Sequence, residues 1–107
     1  MKLHIEGGLL YTGGLMFSRV GAGNGKPHLP LGVFQVDVRT ATQHGSIPMA
    51  YADGLGWLGG VGGCDAVLGR VVGQYGVLPC LSTSRRLVSL VESALEAGER
   101  VTLEVQL

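Results

Sequence analysis

Alternation of apolar and polar positions with a period of two marks both ends of the chain. Leu3 and Ile5 alternate with Lys2, His4 and Glu6, and Val101, Leu103, Val105 and Leu107 alternate with Thr102, Glu104 and Gln106. Successive side chains of an extended strand point to opposite faces, so each segment predicts a half-buried strand. Val33–Val38 repeats the signal, with Phe34, Val36 and Val38 on one face and Gln35, Asp37 and Arg39 on the other. Gly7-Gly8 and Gly13-Gly14 bracket Leu9–Thr12 and precede a strand at Leu15–Val20, which together read as a β-meander with glycine turns. Ser46–Ala52 reads as an extended piece at a sheet edge, because Pro48 has no backbone donor. Cys64–Val72 is rich in β-forming residues and predicts another strand.

The period changes once. Leu87, Leu90, Val91, Ala94 and Leu95 recur at helical spacing and predict a helix over 83–97. Ser82, Thr83 and Ser84 offer oxygens to the orphan amides of its first turn, and Gly98 suits the left-handed residue that closes it. Such a stripe needs a sheet to cover. The expectation is an α+β domain spanning residues 1–107. It has a curved, mostly antiparallel sheet or small open β-barrel of about five to seven short strands, one helix, and a final strand.

Two segments break the pattern. Gly21–Pro30 (GAGNGKPHLP) is a loop, since its glycines and prolines interrupt ladder bonding. Asp53–Gly63 (DGLGWLGGVGG) carries six glycines in eleven residues, which argues against a helix and for a flexible or tightly turning loop.

Composition narrows the function classes. Eight basic residues balance eight acidic ones among 107, and only 15% of residues are charged against 46% hydrophobic. That balance argues against disorder. Scattered cations argue against a nucleic-acid partner, leaving only Arg85-Arg86 with Arg100 as a basis for one. Low charge also leaves little repulsion against self-association, so a homodimer is expected. No apolar run approaches the roughly 18 residues of a membrane span. The first residues lack the continuous apolar stretch of a secretory signal, so the expectation is a cytoplasmic protein away from membranes. Reduced cysteines, Cys64 and Cys80, follow from that compartment.

Motifs for cofactors fail on context. Gly54, Gly56 and Gly59 match G-x-G-x-x-G, but Gly60-Val61-Gly62-Gly63 does not begin a helix. Gly21–Lys26 (GAGNGK) suggests a phosphate loop, yet Val20 stands where its first glycine belongs and Pro27 follows the lysine. His4, His28 and His44 have no metal-ligand spacing, and a metal site would need distant loops with Cys64, Cys80 or Asp65. No cofactor and no metal are therefore expected.

Two constellations survive. Tyr51, Asp53, Trp57 and Tyr75 flank the glycine-rich segment 51–63, where an aromatic ring on a compact backbone suits anchoring a small molecule or protein partner. The alternative for Trp57 is a plug closing one end of the sheet or barrel. The leading expectation is a non-catalytic binding or interaction module that uses this loop. The rival is a small cysteine-dependent enzyme, with Cys80 as nucleophile before a helix N-terminus and His28 or His44 as base. The order cysteine, helix, glycine, strand resembles the end of L,D-transpeptidases. Only the cysteine matches, since this chain reads Val77-Leu78-Pro79-Cys80-Leu81-Ser82 where that family has Ser-His-Gly before it and an arginine motif after it. No role is carried over.

Overall fold

The computed structural model describes residues 1–72 and 76–107, without the side chains of His44, Val71 and Val72. The strands are β1 (Lys2–Glu6), β2 (Leu9–Thr12), β3 (Leu15–Ala22), β4 (Gly32–Ala41), β5 (Ile47–Ala52), β6 (Gly56–Gly59), β7 (Ala66–Val72), β8 (Gly76–Pro79) and β9 (Thr102–Val105). One 3₁₀ turn covers Thr42–His44, and one helix, α1, spans Leu81–Glu96. Among the described residues no helix is long and apolar enough to cross a membrane.

The nine strands run in the order β3-β2-β1-β9-β4-β5-β6-β7-β8, and β3 also pairs with β7. That extra ladder closes eight strands into a barrel and leaves β8 appended to β7. Of the expected curved sheet or small open barrel of five to seven strands, the barrel with one helix is the form found, and two points are corrected: the barrel is closed and has more strands. It is also mixed, because β1 lies parallel to β9 and β6 parallel to β7. Closure satisfies ladder groups that an open sheet would leave at its edges.

Register explains why this pairing wins. Leu3 lies beside Leu103, Val36 beside Ala52, Ala50 beside Leu58, Leu58 beside Ala66, and Val20 beside Leu68. All of these are buried, so the alternation of each strand feeds one continuous core. The β1–β2 and β2–β3 turns fall on Gly7-Gly8 and Gly13-Gly14, all with positive φ, which is the conformation of tight hairpin turns. β5 is not an edge strand, since it pairs with both β4 and β6. Pro48 is tolerated because the β6 ladder reaches only Ala50–Ala52, leaving Pro48 opposite Thr40 alone.

Helix α1 begins earlier than its hydroxyl-rich sequence predicts, with Cys80 as its N-cap residue. Its buried face is Ser84, Leu87, Val88, Val91 and Ala94, of which Leu87, Val91 and Ala94 join the barrel core. Leu90 and Leu95 lie on the flank instead, 40% and 38% exposed. The end forms as expected: Gly98 has φ +80°, its N–H donates to Leu95 O at 3.0 Å, and Glu99 N–H donates to Ala94 O at 3.0 Å. A second, smaller core lies on the opposite face of β5–β7, where Met49, Ala41 and Cys64 pack with Trp57, Val61 and Val67.

Candidate functional site

β1, β3 and β9 run in the same direction, and all three end beside the start of β4, where Gly32 pairs with Val105. This end of the barrel holds a cavity of about 570 Å³. Its floor is Ile5, Val20 and Val105, buried inward-facing residues of their strands, and Pro27–Leu29 with Leu31 line it from the β3–β4 connection. Gly7, Gly8 and Gly21 also line it and bring no side chain to fill it. Among the described residues no lysine, arginine, aspartate or glutamate contributes to the lining. Leu31, one of the lining residues, is 55% exposed.

The near half of the same loop is fastened by Asp65. Asn24 Nδ2 donates to Asp65 Oδ1 at 3.0 Å and to Gly63 O at 3.1 Å, while Lys26 Nζ sits 3.5 Å from Oδ1. The other carboxylate oxygen accepts the main-chain N–H of Trp57 at 2.9 Å, and Gly23 N–H donates to the Asp65 carbonyl at 2.8 Å. Gly23 is required sterically, since a Cβ there would run into the Cys64 carbonyl oxygen. Partial burial acts to raise the Asp65 pKa. The bonds from Asn24 and the Trp57 amide, with the Lys26 charge, outweigh it and hold the carboxyl below its usual range.

Cys80 and Cys64 occupy opposite environments. Cys80 Sγ is partly exposed at the start of α1, 3.2 Å from Ser82 Oγ. Hydrogen bonds from the Ser82 hydroxyl, then from the Thr83 hydroxyl and amide, bring its thiol down to about 6. The position is set by close backbone packing, because a Cβ on Gly60 would strike the Cys80 carbonyl and one on Gly69 the Leu78 carbonyl. Cys64 is fully buried, and that burial pushes its thiol up. Both are free cysteines.

The remaining sequence candidates are dispersed. His28 lines the barrel-mouth cavity, and no described histidine side chain bonds Cys80. His44 ends the 3₁₀ turn, and its side chain lies outside the described residues. Tyr51 and Trp57 are cross-strand partners on β5 and β6, with rings 5.0 Å apart in a T-shaped arrangement and Arg39 stacked 4.0 Å over Tyr51. Trp57 packs into the second core with Val61 and Cys64. Asp53 is exposed in the β5–β6 turn, and its N–H donates to Gln35 O at 2.8 Å. Tyr75 lies outside the described residues. Segment 51–63 is thus a hairpin followed by a short turn, and neither Tyr51, Asp53 nor Trp57 lines the mouth cavity.

Sequence reasoning missed the cavity and weighed Asp65 only as a distant metal ligand. The available signal was the pair of side-chain donors, Asn24 and Lys26, in a loop with no acidic residue of its own. No group of three or more potential metal ligands comes together among the described residues. Comparison with protein-family models, with curated proteins and with solved structures finds no match to this chain.

Proposed function

We propose that this protein is a small-molecule-binding module whose site is the barrel mouth between β1, β3, β9 and Pro27–Leu31. One observation carries the reading: a cavity of about 570 Å³ lined mainly by aliphatic side chains and glycines, with His28 and Gln106 and, among the described residues, no lysine, arginine, aspartate or glutamate. Ligand sites typically enclose about 300–1,000 Å³, are mainly apolar, and often occupy the mouths of β-barrels. The Asp65 clasp supports it, because a wall held before binding need not be ordered by the ligand. A homodimer is part of this reading, favoured by the zero formal net charge and tested by sedimentation equilibrium.

The test is amide-resolved NMR with a set of small uncharged apolar molecules. The expected shifts gather on Ile5, Gly8, Val20, Leu29 and Val105. They disappear in Ala22→Phe, which fills the mouth from the next inward position after Val20. Shifts that gather instead on the Tyr51–Trp57 hairpin would overturn the barrel-mouth site.

The partly exposed Cys80 sulfur at the head of α1 favours a second reading, a cysteine-dependent enzyme with Cys80 as nucleophile. With its pKa near 6, most of the thiol is ionised at neutral pH without a histidine base. Cys80 is then alkylated by iodoacetamide at pH 7 in the folded protein, whereas buried Cys64 reacts only on unfolding. An inert Cys80 would remove this reading.

A further inference from the structure

The lining of the barrel mouth restricts the chemistry of what it can hold. A carboxylate or phosphate buried there would lose its hydration without meeting a cation, a cost that apolar contact does not offset. An uncharged ligand is therefore selected. Its polar partners are few. Gln106 lines the cavity, but both ends of its amide are engaged: Oε1 lies 2.9 Å from His4 Nε2, and Nε2 donates to Glu104 Oε1 at 3.1 Å. Among the described residues, the only other lining side chain with a hydrogen-bonding group is His28.

His28 Nδ1 lies 3.1 Å from the Leu29 carbonyl oxygen. A carbonyl can only accept, so Nδ1 carries the proton in that bond and the neutral ring keeps its lone pair on Nε2. Nε2 has no hydrogen-bond partner among the described residues. Among the described lining residues, His28, itself exposed to solvent, therefore offers the one side-chain acceptor without a protein partner. We infer that the site takes an uncharged apolar molecule bearing a hydroxyl group, with the hydroxyl donating to His28 Nε2 and the hydrocarbon body lying over Ile5, Val20 and Val105. This inference rests on the barrel-mouth reading and adds the ligand class to it.

Two probes of nearly identical shape separate the possibilities: 2-octanol, which can donate a hydrogen bond, and 2-octanone, which can only accept one. Both are titrated against the full chain by amide-resolved NMR, with octanoate as the charged comparison. A single neutral hydrogen bond predicts that the alcohol binds about three- to tenfold more tightly than the ketone. Octanoate binds more weakly than either. In His28→Ala the alcohol falls to the level of the ketone, with the spectrum otherwise preserved. Should alcohol and ketone bind equally at the mouth, the assigned ligand class is wrong while the barrel-mouth site stands. Should neither shift any residue of the mouth, the site itself is wrong. The wild-type comparison decides both points without depending on how the variant folds.

Discussion

Within the single connection from β3 to β4, Gly23, Asn24 and Lys26 are held by directed polar bonds to the Gly63–Asp65 backbone and the Asp65 carboxylate. A few residues later, Pro27–Leu29 and Leu31 line an apolar opening, and the one side-chain hydrogen bond there among the described residues is local, from His28 to its neighbour Leu29. The first segment has geometric specificity and no room; the second has room and little specificity. An apolar opening left without a ligand gains stability by collapsing, because emptiness forfeits dispersion contacts. Fastening the loop just before the opening limits that collapse. The polar clasp and the apolar wall thus work as a pair.

The clasp can be broken by shape or by charge. Gly23→Ala is the stronger break, since its methyl group meets both the Cys64 carbonyl and the Val67 side chain. Forcing the loop off this packing costs about 3 kcal/mol, read as a lowered urea midpoint with an unchanged slope. Asp65→Asn is milder. It keeps the size of the side chain but loses the charge shared by Asn24, Lys26 and the Trp57 amide, at about 2 kcal/mol.

The same carboxylate sets a pH dependence whose sign is fixed. Its folded pKa lies below the unfolded one, so its contribution is fully present above about pH 4 and is lost as pH falls through the folded value. Urea unfolding across that acid range should therefore show a smaller acid loss for Asp65→Asn than for the wild-type chain. An acid limb unchanged by the substitution would show that the clasp carries no net stability.

Much of this architecture is legible in the chain, and the rest is hidden for identifiable reasons. β1, the core of β4, and β9 follow from dense alternation, and the end of α1 follows from Gly98. β6 is invisible because Gly56-Trp57-Leu58-Gly59 is too short and too glycine-rich to alternate. Closure is equally hidden, since it depends on β3 meeting β7 and on β1 meeting β9 across almost the whole chain, and local pattern carries no term for either. The start of α1 is displaced because three hydroxyl residues, each a better N-cap than cysteine, follow Cys80. At the site, Gly21–Pro30 is legible as a loop and His28 as a residue of interest. That the loop roofs a barrel end emerges only when β1, β3 and β9 are seen to finish together.

The most direct test is a crystal structure of the protein under xenon pressure, because xenon settles in preformed apolar cavities and asks for no hydrogen bond. The account predicts a xenon atom among Ile5, Val20 and Val105, beneath Leu29, with the Asn24–Asp65 bond intact. A mouth filled by Leu29 or Leu31, with no xenon against those three residues, would contradict it.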